Sequence, residues 1–316
     1  MTFAVLFPGQ GSQFVGMGED LFAERPDLLG DRADAILGWS LREICLEGPE
    51  ELLTRTEHSQ PALFALSYAL WEMVDAATSS NPAGVAGHSL GEYTALTAAG
   101  SFDFDSALGL VARRGQAMAS AADAEPSGMA ALLGADLVSA EAIASQRREE
   151  GGRLQVANIN SPGQVVLAGG TADIDWVVAN ARDLGVRRAV PLKVAGAFHS
   201  QFMDSAKIEV AETLSHVEVG EPAFPVWSNA TARPHSRDLV RETLARQVVS
   251  PVRFSESLRD MASTGIDTFV HVGPGDVTAG MAKRTVEDAR IVVVSAVSDI
   301  PAAAEAVGTM ESSEQR

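Results

Sequence analysis

The run Gly87-His88-Ser89-Leu90-Gly91 constrains this chain more than any other segment. It follows an apolar stretch at residues 83–86 that reads as a short buried strand. It leads into residues 90–99, which read as a helix. A serine on a tight strand-to-helix turn has an exposed hydroxyl, and the glycines beside it tolerate the strained backbone and the close packing. The helix start behind it offers free backbone N–H groups to a developing oxyanion. Such a turn requires a sheet whose strands feed helices, and the rest of the chain agrees. Apolar runs at residues 3–7, 83–86, 225–228, 268–272 and 290–294 alternate with helical patterns at 61–74, 104–122, 239–249 and 255–263. This alternation predicts an α/β fold with a mainly parallel sheet. Asp103 is placed to cap the helix at 104–122. The longest uncharged stretch, residues 59–71, is too short to span a membrane and reads as a buried helix with Pro61 in its first turn.

The middle of the chain has its own pattern. Residues 129–133 read as a strand and 139–148 as a helix. Residues 154–157 and 165–168 read as two strands joined through Asn160-Ser161-Pro162-Gly163. A helix at 173–183 and a strand at 188–194 complete a β-α-β-β-α-β order, the ferredoxin-like motif. The expected organisation is a large domain from residues 1–124 and 196–300, with a small ferredoxin-like subdomain inserted at 125–195. The tail at 301–316, rich in Ala, Glu and Ser, is expected to be flexible. Ser89 lies before the insertion and His199 just after it, so the cleft between the two parts is the expected ligand site.

A serine hydroxyl needs a neighbouring base to act as a nucleophile at neutral pH, and histidine is the usual one. The chain has six: His58, His88, His199, His216, His235 and His271. His216 lies in an acidic helical stretch and His235 in a loop rich in Pro and Arg, which suits an ordinary surface or core role. His199 follows the apolar run at 194–198, at an expected strand end, and is the better candidate. Its position downstream of Ser89 is the order expected of an α/β-hydrolase-like site.

Composition excludes other classes. The single cysteine, Cys45, cannot form an internal disulfide or a cysteine-cluster metal site, and reads as a buried small hydrophobe. No basic region precedes the run at 3–7, which is too short for a signal-peptide core, so a cytoplasmic protein is expected. The net charge of −18, from 24 basic and 42 acidic residues, repels nucleic acid.

Seven ordered motifs resemble the malonyl-CoA:acyl carrier protein transacylase family across roughly residues 1–300. They are Phe7-Pro8-Gly9-Gln10-Gly11-Ser12-Gln13, Gln60-Pro61-Ala62-Leu63, Gly87-His88-Ser89-Leu90-Gly91-Glu92-Tyr93, Arg114-Gly115-x-x-Met118, Asn158 to Gln164, Ser250-Pro251-Val252-Arg253 and Val272-Gly273-Pro274-Gly275. Where the family often has Gln after the methionine of the arginine motif, this chain has Ala119. The resemblance implies an α/β-hydrolase-like fold and transfer of malonyl from malonyl-CoA to the phosphopantetheine thiol of acyl carrier protein, feeding fatty-acid or polyketide synthesis. It implies no bound cofactor or metal, no membrane, and a monomer. Ser89 would be the nucleophile and His199 its base. The backbone N–H groups of Leu90 and Gln10 would form the oxyanion hole. No acid between Ser89 and His199 is marked as the histidine's partner. The family orients this histidine with a backbone carbonyl, here matched to Gln247. Asn160 and Gln164 resemble its contacts to the thioester and pantetheine, and are equally explained as a hairpin turn. Phe198 before the histidine resembles modular acyltransferases that use malonyl units.

Arg114 bears on the substrate. A malonyl thioester has a free carboxylate, and a guanidinium meets it bidentately. Arg113 is adjacent, but on a helix the two point about 100° apart, so only one can face the cleft. Acyl carrier proteins are acidic, so an acidic enzyme must dock them through a local basic patch; Arg187-Arg188 and Lys283-Arg284 are the candidates.

Other readings stay open at this point. A serine esterase or thioesterase would share the elbow and the histidine but has no need of Arg114 or the insertion. A nucleotide-binding protein is disfavoured, because Phe14 stands where a dinucleotide loop wants glycine and Val272-Gly273-Pro274-Gly275 lacks a following Lys-Ser/Thr. A non-enzymatic scaffold is disfavoured by the full set of reactive residues. Asn229-Ala230-Thr231 forms a formal glycosylation sequon, read as incidental.

Overall fold

The computed structural model describes residues 2–308. Among the described residues nine strands form two sheets: β1 (Phe3–Phe7), β2 (Gly84–Gly87), β3 (Ser127–Leu133), β4 (Gln155–Ser161), β5 (Gln164–Gly170), β6 (Arg188–Pro191), β7 (Val226–Trp227), β8 (Thr268–Val272) and β9 (Arg290–Val294). The first sheet is parallel throughout, in the order β7-β2-β1-β8-β9. Helices cover both of its faces, which explains why β1 is an apolar run without alternation and why β1 and β8 are buried along their whole length.

From the central β1 the chain crosses to β2 on one side, and later to β8 on the other. The strand order therefore reverses between β1 and β8, and open parallel sheets place their ligand sites beyond the carboxyl ends of the strands near such a switch point. Phe7 pairs with Gly87, so the loop after β1 lies beside the turn after β2. The approach is close. A Cβ on Gly9 would sit 2.3 Å from the His88 carbonyl oxygen, and one on Gly91 would sit 2.4 Å from that of Phe7. Only glycine allows these two loops to touch.

The second sheet is antiparallel, in the order β4-β5-β3-β6. With the helices Leu137–Glu149 and Thr171–Asn180 it has the β-α-β-β-α-β order read from the sequence. Its two faces serve different cores, as a period of two requires. Ala130 and Leu132 of β3, with Val165 and Leu167 of β5, pack with the two helices. Met129 and Ala131, with Val166 and Ala168, join the main core beside Ala122, Phe198 and Phe202. The sheet is thereby fastened to the elements that carry the candidate site.

Three expectations are corrected. Pro61 is not in a first turn: the helix runs Thr56–Ala77 and Pro61 lies inside it. Thr56, Ser59 and Gln60 are buried, so packing extends the helix upstream of the apolar run. The strand expected at 188–194 ends at Pro191, and His199 lies in a turn instead of at a strand end. Past β6 the chain must reach the helix Phe104–Ala124, and Gly196 passes so close that a Cβ would meet that of Ala122 at 2.7 Å. The tail is ordered from its start: Ile300–Val307 is a helix with Ile300, Ala303, Ala304, Ala306 and Val307 buried. Its alanines form a narrow apolar face that seats against Thr56–Ala77 and β9. Residues 309–316 lie outside the described residues. No helix among the described residues is long and apolar enough to cross a membrane.

Candidate active site

Ser89 follows β2 and holds φ at 52°, in the left-handed region that a residue with a Cβ rarely adopts. The strain is held by fixed partners. The Ser89 N–H donates to Asn229 Oδ1 at 2.7 Å, and Asn229 Nδ2 donates to the Gly87 carbonyl at 2.7 Å. The helix Gly91–Ala98 starts directly behind. Gly87 lies against it, with room for no Cβ: the carbonyl carbon of Gly91 would be 1.8 Å away.

His199 reaches the serine from the other side. Its Nε2 is 2.8 Å from Ser89 Oγ, and its Nδ1 is 2.9 Å from the Gln247 carbonyl oxygen. A carbonyl only accepts, so Nδ1 carries the hydrogen and Nε2 presents its lone pair to the hydroxyl. The ring makes no hydrogen bond to a carboxylate among the described residues. Burial, reinforced by the Arg114 charge, pushes the imidazole pKa down to about 3. The ring is therefore neutral at physiological pH, with Nε2 able to accept a proton.

Arg114 is the third member. It is wholly buried, and it lies on the same helix face as Met118, four residues on. Gly115 between them is required because the helices Phe104–Ala124 and Thr56–Ala77 touch there: a Cβ would be 2.9 Å from the Thr56 carbonyl oxygen. The guanidinium donates from Nη1 to Gln60 Oε1 at 2.5 Å, and from Nη2 to Gln247 Oε1 at 3.0 Å and Ser89 Oγ at 3.1 Å. It lies over the Tyr93 ring, 5.1 Å from the centroid. Its Nε is buried without a hydrogen-bond partner among the described residues. Among the described residues no carboxylate forms an ion pair with it, and desolvation lowers its pKa. A buried cation whose hydrogen bonds go to neutral oxygens carries charge that an anion could meet. Arg113, its neighbour, is exposed.

Leu90 follows Ser89, and Gln10 follows Gly9 in the loop that touches the His88 turn. Their backbone N–H groups make no hydrogen bond within the described residues. The Gln10 side chain is anchored by donation to Thr56 Oγ1 at 3.3 Å. Asn160 is buried on β4, where its Oδ1 lies 2.8 Å from His88 Nε2 and fixes that ring beside the elbow. Gln164 is not brought to the reacting centre. It is at the far end of the β4–β5 hairpin, where its Oε1 accepts from Arg284 at 3.3 Å. There it lines a cleft of about 550 Å³ with Ser161, Gly134, Arg187 and Arg284. Among the described residues no group of three or more His, Cys, Asp or Glu could hold a metal ion.

Sequence reasoning missed four participants. Gln60 lies in a motif but was given no role. The side chain of Gln247 holds Arg114, beyond the carbonyl role read for its main chain. Asn229, seen only as a sequon, is wholly buried with its amide committed to Gly87 and Ser89, so it is closed to glycosylation. His235 pairs through Nε2 with Glu92 Oε1 at 2.7 Å, both side chains buried. Glu92 stood in the quoted nucleophile motif; Asn229 and His235 had no local signal.

The acyl transferase domain family matches residues 4–316. The malonyl CoA-acyl carrier protein transacylase of Bacillus subtilis is 39% identical over 295 residues, covering 92% of this chain and 93% of that protein. The structure of the transacylase of the same name from Coxiella burnetii superposes with a TM-score of 0.92 at 32% identity, over 97% of this chain and 98% of that one. A malonyl-transacylase solved in complex with its type II polyketide acyl carrier protein gives a TM-score of 0.92 at 35% identity, over 97% of this chain and 100% of that one.

Proposed function

This chain belongs to the acyl transferase domain family, and from that premise we propose that it moves a malonyl group from malonyl-CoA to the phosphopantetheine thiol of an acyl carrier protein. The observation that carries the substrate is Arg114, wholly buried, hydrogen-bonded to neutral side chains and 3.1 Å from the nucleophile. A serine esterase has no use for such a cation.

The steps follow from the atoms. The malonyl carboxylate docks on Arg114. His199 Nε2 takes the proton of Ser89 Oγ as the oxygen attacks the thioester carbonyl carbon. The Gln10 and Leu90 N–H groups hold the negative charge on the carbonyl oxygen. When the carbon–sulfur bond breaks, the coenzyme A thiolate takes the proton from His199 and leaves, and the malonyl group stays on Ser89 as an ester. The carrier thiol then gives its proton to His199 as its sulfur attacks the ester carbonyl carbon; when the bond from that carbon to Ser89 Oγ breaks, His199 returns the proton to the serine oxygen and the malonyl group leaves on the carrier. The Gln247 carbonyl holds the ring throughout but stabilises the imidazolium less than a carboxylate would. Asn160 and Gln164 mark the path of the pantetheine arm. The working division is a large domain from 1–124 and 196–300 around an insertion at 125–195, in a cytoplasmic monomer with no bound cofactor.

Intact-mass spectrometry tests the reading. Malonyl-CoA should add one malonyl mass to the wild type and none to Ser89→Ala. Arg114→Ala should lose about 10²–10³-fold in kcat/KM with malonyl-CoA while acetyl-CoA holds level or improves. An adduct that persists in Ser89→Ala sinks the assignment of the nucleophile, and equal losses for both donors make Arg114 structural.

A further inference from the structure

Beneath the elbow lies a buried polar cluster. Glu92, in the first turn of Gly91–Ala98, is wholly buried. Its carboxylate meets three nitrogens: His235 Nε2 at 2.7 Å, the Asn229 main-chain N–H at 3.1 Å and Gln247 Nε2 at 2.7 Å. Gln247 is the link to the chemistry. Its Nε2 also donates to the Ser89 carbonyl at 2.8 Å, so its amide hydrogens are committed to oxygens below the elbow. Its Oε1 is left to accept from Arg114 Nη2 at 3.0 Å.

The amide has one workable orientation. Turned over, its nitrogen would face the guanidinium, donor against donor. Its oxygen would face the Glu92 carboxylate and the Ser89 carbonyl, acceptor against acceptor. In the low dielectric of this cluster such mismatches are costly. The Ser89 carbonyl is a weak neutral acceptor, so the charged one decides.

We propose that Glu92 is a positioning residue for donor selectivity: by accepting the Gln247 Nε2–H it locks that amide with Oε1 toward Arg114, and so aims the guanidinium at the incoming carboxylate. The proposal rests on the malonyl reading of Arg114 given above. Glu92 also supports the nucleophile, through the main chain of Asn229, whose side chain holds the Ser89 N–H. That second arm acts on every donor alike. The ratio of malonyl to acetyl transfer therefore isolates the arm through Gln247.

The test measures kcat/KM for malonyl-CoA and acetyl-CoA in the wild type, Glu92→Gln, Gln247→Met, Arg114→Ala and the double variant Glu92→Gln/Arg114→Ala. In Glu92→Gln two amides face each other and either can turn. The malonyl-to-acetyl ratio should fall about tenfold, the scale of one weakened hydrogen bond to a charged group. The loss should come mainly through KM for malonyl-CoA, because aim at the carboxylate is a binding property. Gln247→Met removes the amide and keeps the main-chain carbonyl that holds His199, and its ratio should fall in the same direction. With Arg114 already gone, Glu92→Gln should leave the ratio where Arg114→Ala puts it. The proposal is overturned if Glu92→Gln slows both donors equally, or if the ratio falls as far in the Arg114→Ala background. Should Glu92→Gln fail to fold, an unchanged ratio in Gln247→Met overturns it. If Arg114→Ala alone leaves the ratio unchanged, the parent reading has failed, and that outcome is separate from the others.

Discussion

A neutral histidine and an unpaired arginine share one buried site, and each shapes the other. His199 is deprived of water and faces the Arg114 cation, so its protonated form is disfavoured twice. An exposed imidazole titrates near about 6.5. Here the folded pKa is lowered to about 3, so the proton-accepting form persists well into acid. The second-order rate of Ser89 acylation, which reports the free enzyme, should stay level as pH falls through about 6.5 and decline only on approach to about 3. Stopped-flow release of coenzyme A across that interval measures it. A half-maximal rate near 6.5 would refute the buried neutral base. His199→Ala should lower acylation about 10²–10⁴-fold. A near-normal single-turnover rate in that variant would move the role elsewhere.

At the level of elements, the helix Phe104–Ala124 delivers Arg114, and its two glycines have opposite meanings. Gly115 lies where two backbones meet, with the Thr56 carbonyl oxygen 2.9 Å and the Glu57 Cα 3.1 Å from where a Cβ would be. Neither atom can swing away as a side chain could. Gly109 has only the Ile36 Cγ2 at 3.9 Å, an ordinary contact. Gly109→Ala should therefore stabilise the protein by about 0.5–1 kcal/mol through helix propensity. Gly115→Ala gains the same propensity but must part the helices, at about 1–3 kcal/mol, for a net loss. It should also weaken malonyl transfer, because Arg114 is the adjacent residue. Urea denaturation of both variants decides the signs. A stabilised Gly115→Ala would show that the helices yield without cost.

For the whole molecule, charge is the governing quantity. A chain of net charge −18 repels an acidic carrier protein at a distance, and only a local patch can reverse that. Lys283 and Arg284 end the helix Val277–Thr285, and Arg284 donates to Ser161 Oγ at 3.1 Å on the hairpin that carries Asn160. Arg187 lines the same cleft. Lys283→Glu/Arg284→Glu should raise the apparent KM for carrier protein far more than that for malonyl-CoA, and should flatten the salt dependence of the carrier half-reaction. Steady-state assays at two ionic strengths, paired with the acylation rate, check this. Equal effects on both halves would place the patch in the shared pocket.

Much of this protein is local enough to be written in its sequence. The elbow at Ser89, the apolar strands, the Asp103 cap and the βαββαβ insertion depend on neighbours in the chain, and backbone sterics and periodicity make such features legible. The Arg114-Gly115-x-x-Met118 spacing is also local, since one helix face sets which arginine turns inward. Where elements end was less legible: Pro61 lies inside its helix and Ile300–Val307 is ordered because burial against distant segments outweighs the local signals. The network under the site was not legible at all. Glu92, Asn229, His235 and Gln247 come from three separate stretches and meet only because β2 and β7 are neighbours in the parallel sheet and the chain after each returns to the same end. Sequence determined which groups could do the chemistry, because their types and spacings follow from the turn and the helix that carry them. Tertiary structure alone decided which polar atoms face one another, because a buried donor must find its acceptor wherever the fold has placed it.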